Sequence, residues 1–104
     1  MKRGEIWWIA FPPPVGRRPA VLVSRNQAYR VRTAITVVPL TRTIRNIASE
    51  VPVGPSDGVP KASAANADNI VTIPKASAVE YIATLSSEKM TSLERAVKFS
   101  LDLP

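Results

Sequence analysis

The chain has 104 residues, of which 45% are apolar and 21% charged, a balance that suits one globular domain over residues 1–104 rather than a disordered chain. Lys and Arg outnumber Asp and Glu by 14 to 8, which leaves a formal charge of +6. There is no Cys and no His, so a disulfide framework, a thiolate nucleophile, an imidazole base and an ordinary transition-metal site are all excluded.

The first expected strand is the apolar run Ile6–Phe11, which stops at Pro12–Pro14. Six residues are too few for a secretory core or a membrane span, so a cytoplasmic location is expected and no membrane partner. The second strand opens at Pro19 and continues through Ala20–Val23. The polar stretch Ser24–Thr33 has room for one helical turn, after which Ala34–Leu40 forms a third strand limited by Pro39. Ile47–Val53 reads as a fourth strand and Gly54–Ser63 as a loop rich in turn formers. Two further strands are expected at Ala67–Ile73 and Glu80–Leu85, with Pro74 and Lys75 turning between them.

The C-terminal stretch changes period. Met90, Leu93, Val97 and Leu101 recur at three- and four-residue spacing, which predicts an amphipathic helix packing through those four side chains. Ser86 is its expected N-cap, Leu85 and Met90 its hydrophobic staple, and Glu94 with Lys98 an outer ion pair. Five or six short strands and one helix imply a mainly β fold, a small barrel or strongly bent sheet capped by a C-terminal α-helix.

Charge is unevenly spread over this framework. Residues 1–50 carry nine Lys or Arg against two Glu, a net +7, whereas residues 51–104 carry five against six, a net −1. Eight of the nine are Arg, whose planar fork of donors matches phosphate oxygens. If the second and third strands pair antiparallel with residue numbers summing to 59, Ala20 lies opposite Pro39, Ser24 opposite Ile35 and Arg18 opposite Thr41. Arg17, Arg18, Thr41, Arg42, Thr43 and Arg45 then crowd one rim of the sheet. A phosphate-binding site and a solvated strand end both account for that crowding.

The order of the motifs resembles the MazF/PemK (Kid) family of bacterial toxins: "KRGEIWWI", "GRRPAVLVS", "ITVVPLTRTIR", "VPKASAANADNIVTIPKA" and "LSSEKMTSLERAVKFSLDL". This resemblance covers nearly the whole chain. It implies an SH3-like small barrel of the CcdB/PemK toxin type, a homodimer, and metal-independent, sequence-specific cleavage of single-stranded RNA without a cofactor. It also implies a partner antitoxin whose acidic, disordered tail covers the positive groove. The family's catalytic arginine precedes the strand-opening proline and falls on Arg18; its catalytic threonine follows the third strand and falls on Thr41. Substrate contacts from an acidic-amide pair fall on Asp68 and Asn69.

The chemistry this implies needs no histidine, because RNA supplies its own nucleophile, the 2′-OH. Arg18 suits stabilisation of a phosphorane but not proton abstraction, since a guanidinium carries donors and no acceptor. Two departures from the family pattern stand out. Arg25 replaces an Asn. The Ser-Glu-Gln segment of the first loop is missing, since Val15-Gly16 runs directly into Arg17-Arg18-Pro19. The usual loop carboxylate is therefore absent, Glu5 is the candidate substitute, and Arg17 is expected to bind phosphate where the longer loop reaches. Two other functions fit the composition: a non-catalytic nucleic-acid-binding barrel, and a CcdB-like gyrase poison, although the Trp-Gly-Ile ending of that branch is absent here. Trp7 and Trp8, on opposite faces of a regular strand, are expected to divide between core and a stacking surface.

Overall fold

In a computed structural model that describes residues 1–104, the first two strands form a hairpin. These are β1 (Glu5–Ala10) and β2 (Arg17–Leu22), paired from Ile6↔Val21 to Ala10↔Arg17. The connecting loop closes where the Phe11 amide donates to the Gly16 carbonyl, and Gly16 turns the chain at a φ of +69°, where a Cβ would be strained. β2 thus begins two residues before the expected Pro19. β1 alone pairs with that early segment, through Ile9↔Arg18 and Ala10↔Arg17.

The polar stretch after β2 contains one short helix, α1 (Ala28–Val31), followed by β3 (Ala34–Thr41). β2 and β3 pair at Ala20↔Pro39, Val21↔Val38 and Leu22↔Val37, the register anticipated from sequence. The ladder goes no further toward Arg18. Proline has no N–H to continue it, and both Pro19 and Pro39 stand at that end.

Downstream of β3 the expected boundaries move. The fourth strand, β4, is shorter than anticipated, Glu50–Val53, and Ile47 is exposed. The stretch expected as a loop and one strand instead contains β5 (Ser63–Asn66), a 3-10 turn over Ala67–Asn69, and β6 (Val71–Pro74). The break has a local cause: the Asn66 side-chain oxygen accepts the Asp68 amide at 2.9 Å and turns the chain. β5 consequently pairs with β4 and the C-terminal end of β3, while β6 pairs with the N-terminal end of β3. The last strand, β7 (Ala78–Thr84), lies against β1.

The strand order is β4-β5-β3-β2-β1-β7, with β6 on β3. No ladder joins the outer strands, so the seven-stranded antiparallel sheet is open. Each face carries a core. Ile6, Val21, Val38, Leu40, Val51, Val53, Leu93 and Ala96 pack on one; Ile9, Ala20, Leu22, Tyr29, Ile35, Val37 and Ile73 pack on the other. Burial on both faces is why the central strands read as continuous apolar runs rather than alternating ones.

Helix α2 (Ser87–Ser100) closes the first core. Its Ser86 N-cap accepts the Lys89 amide at 3.1 Å, and Leu85 is buried beside the partly buried Met90, as the capping pattern predicts. Two details differ. Leu101 falls outside the helix and is 48% exposed, because the packing face runs from Leu93 through Ala96 and Val97 and the helix stops at Ser100. Glu94 pairs with Arg3 at 3.1 Å instead of with Lys98. That bond ties the N-terminus to α2, though an ion pair this exposed contributes little. No helix is long and apolar enough to cross a membrane.

Candidate nucleic-acid interface

The β1–β2 hairpin and the loop after β4 face each other across a cleft of about 420 Å³. Trp8, Arg17, Arg18 and Pro19 form the hairpin wall, Val59, Pro60 and Lys61 the opposite wall, and Leu40 and Arg42 extend it from β3. The loop wall is braced from behind. Asp57 accepts the Gly54 amide at 2.9 Å and lies 3.6 Å from the Lys89 ammonium of α2. Gly58 turns at a φ of +96°, where an added Cβ would lie 2.7 Å from the Ala83 side chain, so that bend requires glycine.

The cations of this cleft are not equivalent. Arg17 donates to Glu80 Oε1 at 2.6 Å, and its guanidinium carbon sits 5.1 Å from the Trp8 ring centroid. Arg18, Arg42 and Lys61 are exposed and make no side-chain hydrogen bond or ion pair. A free guanidinium on a concave, partly apolar surface is available to an anionic ligand without first breaking a protein contact.

Thr41 ends β3, where it pairs with Ala64 of β5. It is half-buried, and its Oγ1 accepts the Thr43 amide at 3.1 Å, which leaves the hydroxyl proton available to donate. Thr41 does not line the cleft. Opposed residues of an antiparallel pair share a face, so continuing the Ala20↔Pro39 register puts Thr41 on the face of Arg18.

The other expected residues are more scattered. Thr43 is used through its amide. Arg45 is drawn to Glu50, its amide donating to Oε1 at 2.8 Å and its guanidinium 3.9 Å from Oε2. Arg25 lines a different cleft, of about 530 Å³, beside α2 with Thr36, Met90 and Lys98. Asn69 is exposed on the 3-10 turn before β6, remote in the fold from the Arg18 cleft. Glu5 accepts the Lys2 amide and the Trp7 indole N–H, both at 3.0 Å, and is committed to that local contact. Trp7 packs edge-on to Tyr81 at 6.1 Å, leaving Trp8 as the indole of the cleft.

Asp68 has a structural partner set. Its carboxylate accepts Ser49 Oγ at 2.6 Å and Ser100 Oγ at 2.7 Å, fastening the end of α2 to the turn after β5. Those hydroxyl bonds, Ser49 foremost, hold its pKa below the usual carboxylate value. A lowered folded-state pKa gives stability that is complete above the unfolded pKa and is lost as pH falls through the folded one. The melting-temperature advantage of the native chain over Asp68→Asn should therefore be present at pH 7 and shrink below about pH 4. A constant difference from pH 7 to pH 2.5 would exclude this linkage.

Sequence reasoning missed Lys61, which lies in a stretch that reads only as a turn-rich loop. Its proximity to Arg18 depends on where β4 and β5 sit in the sheet, and no local pattern carries that.

Comparison with known proteins matches residues 2–101 to the family described as PemK-like, MazF-like toxin of type II toxin-antitoxin system. "Probable endoribonuclease MazF5" of Mycobacterium tuberculosis (strain ATCC 25618 / H37Rv) is 39% identical over 102 residues, 96% of this chain and 92% of that protein. Among solved structures, "Mycobacterium tuberculosis toxin MazF-mt6" superposes with a TM-score of 0.88 at 29% identity, over 96% of this chain and 98% of that one. The structure described as "Endoribonuclease in complex with its cognate antitoxin from Mycobacterial species" superposes with a TM-score of 0.86 at 31% identity, over 100% of this chain and 97% of that one. With its open antiparallel sheet, its C-terminal helix and a family match across nearly its whole length, this chain belongs to the PemK-like, MazF-like toxins of type II toxin-antitoxin systems.

Proposed function

We propose that this chain is the toxin of a toxin-antitoxin pair and an endoribonuclease that cuts single-stranded RNA at specific sequences without a metal ion. The observation that carries the reading is Arg18: an unpaired guanidinium in a cleft whose other free cations are Arg42 and Lys61. The endoribonuclease relatives at 39% and 31% identity support it.

In this reading Arg18 binds the scissile phosphate and counters the charge that develops on its non-bridging oxygens when the neighbouring 2′-OH attacks. Thr41 gives a hydrogen bond from its free hydroxyl to a phosphate oxygen and keeps its proton. As the 2′ oxygen bonds to phosphorus its proton passes to solvent water, the bond to the 5′ oxygen breaks and that oxygen takes a proton from solvent, leaving a 2′,3′-cyclic phosphate and a 5′-OH end. Arg42 and Lys61 hold flanking phosphates, and Arg25 and Asn69 are free to meet RNA further along the strand. Arg45 and Asp68 serve the fold. The toxin works in the cytoplasm as a homodimer, and its antitoxin carries an acidic, disordered tail attracted to the basic cleft.

The test is incubation with a long RNA in EDTA, followed by sequencing of the 5′-OH ends. Cleavage at a defined set of sites is expected. Because Arg18, Arg42 and Lys61 each displace counterions, log affinity should fall with log salt at a slope of about −2 for single strands. Salt-dependent binding with no cut in either EDTA or magnesium would make the protein a non-catalytic RNA-binding module.

A further inference from the structure

Arg17, the neighbour of the free Arg18, is held in a way that a phosphate-binding arginine does not need. In the β1 ladders Trp8 lies opposite Pro19 on one side and opposite Glu80 on the other. Arg17 is two residues from Pro19, so it is the diagonal neighbour of Trp8 on the same face. The three side chains meet there: Glu80 takes one Nη at 2.6 Å, and the guanidinium lies over the indole with its carbon 5.1 Å from the ring centroid. Arg17 is thus fixed from the side by a carboxylate and from below by a ring, and its side chain is still 54% exposed.

Those contacts partly neutralise the charge of Arg17 and hold its guanidinium on the ring. Neither favours phosphate binding, since the carboxylate competes for the same donors. Both favour stacking, because a planar guanidinium resting on an aromatic ring offers a second flat surface to a base. The cleft beside it is lined by the apolar Leu40 and Pro19 and by free cations at Arg18, Arg42 and Lys61. A base on the Arg17 surface would have its phosphates within that basic rim.

We propose that Arg17, supported by Trp8 and positioned by Glu80, is a stacking platform for one nucleobase of the RNA bound at Arg18, and not a phosphate contact. The inference rests on the RNA-cleaving reading above. It assigns base contact to the position where the first loop is short, so the platform stands open to the strand. Stacking is tolerant of base identity, so Arg17 contributes grip at a fixed position and leaves sequence choice to other contacts.

The experiment uses RNA oligonucleotides carrying a 2′-deoxy nucleotide at the mapped cut site, which removes the nucleophile, with a single abasic site moved along the strand. Affinity is measured for the full-length protein and for Arg17→Lys and Glu80→Gln, each first shown to melt as the native chain does. In the native protein one abasic position should weaken binding five-fold or more. Arg17→Lys keeps the charge but not the plane, so it should bind the intact RNA less tightly and lose that positional penalty while keeping the salt slope. Glu80→Gln should reduce the penalty to an intermediate value. If Arg17→Lys retains the full abasic penalty, or if no abasic position matters in the native protein, the platform is refuted. Failure of the native protein to bind or cut intact RNA would overturn the enzymatic reading instead, which keeps the two failures apart.

Discussion

Replacing Arg18 with alanine is expected to reduce RNA cleavage about 10²- to 10³-fold, the cost of deleting one preorganised donor to a developing oxyanion. The thermal midpoint should not move. Arg18 is exposed, has no ion pair or side-chain hydrogen bond, and its backbone pairing with Ile9 survives the substitution. Surface changes of this kind stay within about 0.5 kcal/mol. Arg18→Lys should be nearly as damaging, because an ammonium keeps the charge but loses the two parallel donors. Initial rates on an RNA with a mapped cut site, together with a melting curve, check both variants. An Arg18→Ala protein that cuts at native rate removes Arg18 from the mechanism, and with it the observation on which the functional reading stands.

The largest effect on stability is expected at Leu93. This side chain is 1% exposed and is the central residue of α2 in the core formed with Ile6, Val38, Val51 and Leu85. Leu93→Ala removes buried methyl groups and leaves a cavity that a sheet fixed by backbone pairing cannot fully close, which costs about 3 kcal/mol. In a domain of this size the loss lowers the melting temperature by on the order of 10 to 20 °C. Chemical denaturation should show a lower midpoint at unchanged slope, since the surface exposed on unfolding is nearly the same. A loss under about 1 kcal/mol would mean that α2 is not clamped to the sheet through Leu93. The two variants are complementary. Arg18→Ala should cut activity sharply in a stable protein, whereas Leu93→Ala should weaken the fold while leaving every cation of the cleft in place.

The contrast between these residues follows a difference in how far each was legible before the fold was known. Helix α2, its Ser86 cap and the buried Leu93 follow from spacing and from one capping side chain, all within a window of about 15 residues. β1, β2 and β3 follow from apolar runs bounded by glycine and proline. The pairing Ala20↔Pro39 also follows, because two adjacent strands with a short connection have few alternatives. The stretch from Ile47 to Pro74 was less legible. Its strands are only four residues long, and the bend at Asn66 divides what reads as one strand into two that pair with different ends of β3.

The site divides along the same line. Composition and motif order by themselves located the excess of arginine in the first half of the chain, excluded histidine and cysteine chemistry, and led to the expectation that Arg18 and Thr41 share one rim. They could not separate the free arginines from the engaged ones. That was decided by sheet order: placing β7 beside β1 brings Glu80 to Arg17 across 63 residues of sequence. The same long-range packing brings Ser100 to Asp68 and Lys61 to the wall facing Arg18. Periodicity and turn chemistry act over a few residues, whereas the partner of a charged side chain is whatever the tertiary fold sets within a few ångströms of it. Arg17 and Arg18 are adjacent and chemically identical in the chain, and only the carboxylate and the indole supplied by the folded sheet make one of them a fixed surface and leave the other free.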